Sequence, residues 1–287
     1  MLLRHILAAT DESDAGRQAV RTAIDLGSRA SARVTILRVI AMEATRHLVS
    51  VGHGTAPTSG GEDEVASRYL RRWLEADVLS PDEVQTADLA TACGIPSIEI
   101  CRFAEQAQAD LLVLGRKRHT HLMRLLLGDT ADAAARRSRC PCLFVPPGSR
   151  KVRKVLVALD GSDRGMNVLN QACDFARYAG AVVEAVTVER RPGGEPLEIV
   201  SELPVARSSS LQVGVREVLA REGFPDAPLA IRRGDIVERV VAEAQESRAD
   251  VLAIGYHRGG PPGVLEAGST ARRLAHAAPC AVLTIPL

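Results

Sequence analysis

A chain of 287 residues with 46% hydrophobic and 25% charged residues has material for two cores and is too apolar to be disordered; ordinary domains run to about 100–150 residues. A formal net charge of +1 excludes a global field that would recruit nucleic acid or an anionic membrane surface. Aromatic residues at 3% remove the stacking platforms and interfacial belts that those two classes use.

The first nine residues carry Arg4-His5 in place of an unbroken apolar stretch, and no later run is long enough to span a bilayer. The expected location is therefore the cytoplasm, with neither membrane nor nucleic acid as partner. Arg4 to Ala9 reads as a short buried strand that runs into Asp11-Glu12-Ser13-Asp14, an acidic turn with helix-capping residues, and then into the helical stripe Ala19, Val20, Ala23, Ile24. Val34 to Val39 is a second short β-rich run. Residues 41 to 61, rich in Gly, Ser, Thr and His without a period, read as a loop. Beyond Gly94 come a helical apolar set (Ile100, Cys101, Ala104), the strand of Ala109-Asp110-Leu111-Leu112-Val113-Leu114-Gly115, Gly128, and a closing strand, Leu143-Phe144-Val145.

Pro146-Pro147-Gly148-Ser149-Arg150-Lys151 then stops one unit and lets the chain reorient, and a second copy begins beyond it. Superposing Asp160 on Asp11 also superposes Ser162 on Ser13, and carries Val168, Leu169, Ala172, Cys173 onto the first helical stripe. Val183 to Val188 repeats the second strand, and residues 189 to 206, with Arg190-Arg191-Pro192-Gly193-Gly194, read as the second loop. Gly234 falls on Gly94, Val240, Val241 and Ala244 on the later helical set, Ala249-Asp250 to Gly255 on Ala109-Asp110 to Gly115, Gly268 on Gly128, and Cys280 on Cys140. We expect domains at 1–148 and 149–287. Short apolar strands alternating with helices make the class α/β, with two repeated open parallel-sheet domains, Rossmann-like, and right-handed crossovers. The closing strands, Leu143 to Val145 and Val282 to Ile285, read equally as contact edges or as ordinary core.

In an open parallel sheet, ligands sit beyond the carboxyl ends of the strands where strand order reverses. In the second copy that places Asp160, Val188 and the run from Gly255 to Thr270 in view. Glycine at a strand end admits a close phosphate, and Ser269 and Thr270 at a helix start offer hydroxyls beside free amides. The same spacing serves equally for Gly255 and Gly268 in turns and Ser269 as a simple cap.

Ala-Asp-x-x-x-x-Gly, the later Gly-Ser, and the helix leading into Pro279-Cys280-Ala281-Val282-Leu283 resemble the universal stress proteins, whose nucleotide-binding members carry G-x-x-G-x9-G-[ST]. The resemblance covers nearly the whole chain, twice. It implies an adenine nucleotide alpha-hydrolase-like fold packed as an internal pseudo-dimer or as a homodimer. It also implies a stress-response regulatory protein that binds adenine nucleotide, ATP with or without Mg, and is no enzyme beyond a slow incidental ATPase. Carried over residue by residue, it implies that Asp160 and Val188 approach adenine and ribose, while Gly255, Gly268, Ser269 and Thr270 hold phosphates. In the first copy the matching positions are Asp11, Val39, Gly115, Gly128 and Thr130.

Two departures bear on the ligand. Arg258 stands where the family has its second glycine, and either crowds the cradle or pairs with phosphate as a guanidinium fork. In the first copy Arg118 takes that place and Asp129 replaces the Ser or Thr, setting a carboxylate against phosphate, so the second copy is expected to bind better. The alternative is a stress protein that binds no nucleotide and acts as a protein-interaction module. Thr58-Ser59-Gly60-Gly61-Glu62-Asp63 imitates an S-G-G-x-D phosphate loop, but it does not follow the first strand, which disfavours an enzyme reading. The seven histidines, including His119 and His121, offer no H-x-x-x-H pair, so no metal site is expected. The six cysteines include no C-x-x-C pair and lie mostly in apolar patterns, Cys140-Pro141-Cys142 among them; they read as packing residues without disulfides.

Overall fold

The structure is a computed structural model that describes residues 1–41, 61–116, 129–189, 203–256 and 269–287; of residues 61–63, 129, 203–209 and 269 it describes the backbone alone. The chain divides into two compact units, Leu2–Ser149 and Arg150–Leu287. The N-terminal unit runs β1 (His5–Thr10), α1 (Asp14–Ala30), β2 (Arg33–Ala41), α2 (Gly61–Asp77), α3 (Pro81–Thr86), β3 (Ala87–Gly94), α4 (Pro96–Gln106), β4 (Leu111–Gly115), α5 (Asp129–Arg137) and β5 (Cys142–Val145). The C-terminal unit runs β6 (Lys154–Leu159), α6 (Asp163–Ala179), β7 (Val182–Glu189), α7 (Leu203–Arg221), β8 (Leu229–Arg233), α8 (Ile236–Glu246), β9 (Val251–Tyr256), α9 (Ser269–Ala277) and β10 (Ala281–Pro286).

Within the units the strand orders are β3-β2-β1-β4-β5 and β8-β7-β6-β9-β10, with parallel neighbours throughout. The first strand of each unit is thus central. Every residue of β1 is buried, as β-branched and aliphatic residues covered on both faces must be. The anticipated helical stripes face inward: Ala19, Val20, Ala23 and Ile24 are buried on α1, and Val168, Leu169, Ala172 and Cys173 on α6.

Each unit is locked at the amino end of its sheet by the aspartate of its Ala-Asp pair. Asp110 Oδ2 accepts from the amides of Arg4 (2.8 Å) and His5 (2.9 Å), and Asp250 Oδ2 accepts from Arg153 (2.9 Å) and Lys154 (3.0 Å). The aspartates' own amides donate back to His5 and Lys154 carbonyls, tying the fourth strand of each unit to the first. These residues carried much of the family resemblance, and their work is structural.

Helix α3 was not anticipated. It exists because Ser80 accepts from the Glu83 amide while Glu83 Oε2 accepts from the Ser80 amide (2.8 Å), a capping box with Pro81 at the first turn. The second loop also ends earlier than expected, since α7 begins at Leu203. Among the described residues no helix is long and apolar enough to cross a membrane.

Candidate functional site

In the C-terminal unit, strand order reverses between β6 and β9, so the crevice expected to receive a ligand opens at the carboxyl ends of β6, β7 and β9. The parallel register Leu159↔Thr187 and Ala158↔Ile254 brings Asp160, Val188 and Gly255 to the same end of three adjacent strands. Asp160 is exposed there and oriented from its own turn: Oδ1 accepts from the amide of Ser162 (3.0 Å) and from its Oγ (2.7 Å). Ser162 Oγ in turn accepts from the Gly165 amide (3.1 Å), capping α6. Gly165 leaves room for the Asp160 carboxylate: a Cβ there would stand 2.8 Å from Asp160 Oδ1, and the aspartate side chain would have to shift. Val188 is half-buried beside this turn, offering an apolar wall.

Gly255 lies inside β9, not in a loop beyond it. A Cβ there would meet Leu287 Cδ1 at 2.9 Å and Val168 Cγ2 at 3.0 Å, so packing of α6 on the sheet already requires the glycine. The same holds for Gly115, where a Cβ would stand 2.6 Å from the Ala15 carbonyl carbon of α1. Thr270 is half-buried in the first turn of α9 and Thr130 is exposed in the first turn of α5. Arg258, Gly268, Arg118, Gly128, His119, His121 and the run Thr58 to Gly60 lie outside the described residues, as do the side chains of Ser269 and Asp129.

The N-terminal unit repeats the turn but changes what fills it. Asp11 Oδ1 accepts from the Ser13 amide (3.2 Å) and the Ser13 hydroxyl, and Ser13 caps α1, as at Asp160. Glu12 then takes the place of Gly161. Its φ of 63° matches the glycine's 76°, so a charged residue holds a backbone conformation that usually costs about 1–2 kcal/mol. It is held by neighbours. Arg38 Nε lies 2.5 Å from Glu12 Oε1, Tyr69 Oη donates to Glu12 Oε2 (3.2 Å), and the Arg38 guanidinium covers the Tyr69 ring at 4.8 Å. This trio stands beside Val39 at the carboxyl end of β2. In the C-terminal unit Thr187 replaces Arg38, and the residue facing Gly161 is Leu211, whose Cδ2 would lie 3.3 Å from an added Cβ. Neither Glu12 nor Arg38 was singled out from sequence. The signal was present in the repeat register, which sets a charged pair against Gly161 and Thr187.

A cavity of about 460 Å³ lies in the C-terminal unit between the first turns of α8 and α9, lined in part by Gly234, Asp235, Arg239, Thr270 and Arg273. A larger one, about 760 Å³ in the N-terminal unit, is lined by Arg21, Val34, Val78 and Asp82 at the amino end of β2, away from the crevice. Among the described residues no group of three or more His, Cys, Asp or Glu side chains could hold a metal ion. The six cysteines form no disulfide; burial pushes Cys101 up to about 11 and Cys173 up to about 12, and it raises Cys140 as well.

The model of the universal stress protein family matches residues 3–146 and again 151–286. A universal stress protein of Synechocystis is 23% identical over 98% of this chain and 99% of its own. One of Methanocaldococcus jannaschii is 29% identical over 50% of this chain and 82% of its own. Among solved structures, a universal stress protein from Archaeoglobus fulgidus shares the fold with a TM-score of 0.68 at 17% identity, covering 98% of both chains. With matches to nearly every residue and a repeated α/β architecture in its two units, the chain belongs to the universal stress protein family as a tandem member with two such domains.

Proposed function

We propose that this chain is a regulatory binding protein of the cytoplasmic stress response whose C-terminal unit holds an adenine nucleotide, ATP in the first place, and holds it better than the N-terminal unit does. The observation that carries the reading is the contrast at the carboxyl ends of the first two strands of each unit. In the C-terminal unit Gly161 and Thr187 take the places of Glu12 and Arg38, with Leu211 against Gly161, so among the described residues the turn carries no ion pair that a ligand would have to displace. Asp160 has Oδ1 committed to its turn, and Oδ2 is the oxygen that would accept from an adenine amine or ribose hydroxyl. Val188 supplies an apolar surface for the base, and the first turn of α9 supplies amides and Thr270 for phosphate. A cavity of about 460 Å³, within the range of about 300–1,000 Å³ usual for small-molecule sites, adjoins Thr270; Asp160 and Val188 are not among its lining residues. In the N-terminal unit Glu12 and Arg38 occupy the corresponding ground, and a ligand entering there has to displace a formed ion pair.

In this proposal the crevice groups bind rather than react: the Ser162 hydroxyl donates to Asp160 Oδ1 and accepts from the Gly165 amide as the cap of α6. Occupancy then shifts an equilibrium between partner-binding states, and self-association belongs to the same proposal. The test is titration calorimetry of the purified chain with ATP and AMP, paired with thermal unfolding. One nucleotide per chain and a raised melting temperature are expected; no heat and no shift at millimolar ATP would refute the reading.

One observation favours a second reading, a protein-interaction module that binds no nucleotide. Ile95 and Ile98, at the start of α4, are 58% and 42% exposed, where the other unit has Asp235 and Glu238. Two exposed isoleucines one helical turn apart suit an apolar partner. Capture of a partner that is lost with Ile95→Ser and Ile98→Ser, in a chain that shows no nucleotide response, would establish it.

A further inference from the structure

The cavity between α8 and α9 carries chemistry that the positions matched by the family motif do not account for. Its walls bring two guanidiniums, Arg239 from α8 and Arg273 from α9, to one polar cleft with Thr270. Arg239 lies across Gly234, whose φ of 136° and missing side chain make room for it: a Cβ on that glycine would stand 3.1 Å from Arg239 Nε. Among the described residues Arg239 enters no ion pair. Arg273 Nη2 stands 3.7 Å from Asp235 Oδ2, and Asp235 Oδ1 is already occupied as the cap of α8, accepting from the Glu238 amide at 3.0 Å. The amides of the first turns of α8 and α9 have no partners within their helices and face the same end of the sheet, adding the positive ends of both dipoles.

The N-terminal unit shows what the same place looks like without this chemistry. In the repeat register Ile95, Ile98, Glu99 and Ala133 stand where Asp235, Glu238, Arg239 and Arg273 do. Glu99 even lies across Gly94 as Arg239 lies across Gly234, with a Cβ on Gly94 falling 2.9 Å from Glu99 Cγ. One scaffold position therefore carries a cation in one unit and an anion in the other. Neither arginine is required by the fold, since both are exposed and the same position in the other unit is a glutamate or an alanine.

We infer that the Arg239–Arg273 cleft takes the terminal phosphates of a nucleoside di- or triphosphate and makes the C-terminal unit select ATP over AMP. This rests on the proposed nucleotide site, with Thr270 as the shared wall between the α9 turn and the cleft. A guanidinium pair suits a multiply charged chain of phosphates, because each fork binds two oxygens with fixed geometry and retains its charge at any physiological pH. Glu238 on the rim works against the polyanion, so its neutralisation strengthens binding.

The test is titration calorimetry of the full chain at fixed ionic strength with ATP, AMP and, separately, sodium tripolyphosphate. The native chain is compared with Arg239→Ala, Arg273→Ala and Glu238→Gln, and unfolding curves establish that each variant is folded. Each arginine variant is expected to weaken ATP by about tenfold or more and AMP by less than about twofold, with tripolyphosphate following ATP, and Glu238→Gln to tighten ATP a few-fold. Equal losses for ATP and AMP, or none for either, overturn the inference while leaving the nucleotide reading standing. Tripolyphosphate binding that depends on the two arginines in a chain that binds neither ATP nor AMP overturns both the ATP selection and the nucleotide site, and leaves the cleft as a polyphosphate site alone. Absence of binding by all three probes refutes both.

Discussion

Arg38 Nε and Glu12 Oε1 lie 2.5 Å apart at the carboxyl end of the N-terminal unit, at positions where the other unit has Thr187 and Gly161. The pair holds Glu12 in a left-handed conformation and lays the Arg38 guanidinium on Tyr69. Replacing both at once, with Glu12→Gly and Arg38→Thr, transfers the C-terminal arrangement into the N-terminal unit. Calorimetry is expected to show additional AMP bound per chain, since Glu99 and Ala133 leave the N-terminal unit without the arginine cleft, with the original site unchanged. Glu12→Gly alone should alter stability by no more than about 1 kcal/mol, because relief of backbone strain offsets loss of a partly exposed ion pair.

Asp250 binds two backbone amides at the end of the sheet opposite the crevice. Asp250→Ala is expected to lower unfolding free energy by about 2 kcal/mol, since hydrogen bonds to a charged acceptor are worth about 1.5–3 kcal/mol each and the freed amides recover part of this from water. Urea denaturation measures it. Nucleotide affinity should stay within a factor of about two, and a large loss of affinity would place Asp250 in the binding machinery.

Gly255→Ala forces a methyl group to within 2.9 Å of Leu287 and 3.0 Å of Val168. Overpacking of this kind costs about 1–3 kcal/mol. Thermal unfolding should show the loss with or without ATP present; a variant as stable as the native chain that has lost only ATP binding would contradict the packing role.

The thiols report burial. At about pH 8 dithionitrobenzoate should label exposed Cys93 quickly, while Cys101 and Cys173 react only on denaturation, since their folded values are raised to about 11 and about 12. For a thiol raised above its ordinary 9.0, the stabilising contribution is fully present below that value and is lost as pH rises through the folded one. The midpoint of urea unfolding should therefore fall between about pH 9 and about pH 11, and replacing Cys101 with Ser should reduce the fall.

The repeat made the architecture legible. Periodicity identified the inward faces of α1 and α6, and the strand ends named Asp160, Val188 and Gly255 as neighbours before any coordinate placed them on adjacent strands. What stayed hidden were contacts between side chains distant in sequence. Nothing periodic links Glu12, Arg38 and Tyr69, and no motif or spacing singles out Arg239 and Arg273 on their two helices. Helix α3 was missed for a different reason: at 6 residues it is too short to show a period, although Ser80-Pro81-Asp82-Glu83 spelled out its cap.

Because β1 pairs with both β2 and β4, and Asp110 bonds the amides of Arg4 and His5, the middle of the sheet is finished only when residues far along the chain return to its beginning. During translation β1 leaves the ribosome long before β4 exists, and one of its edges waits unpaired; β6 repeats the wait. Such non-local pairing slows folding and exposes strand edges to the wrong partner. Two similar waiting strands in one polypeptide give each a decoy in the other half, so a nascent-chain chaperone should matter more for this tandem protein than for either half expressed alone.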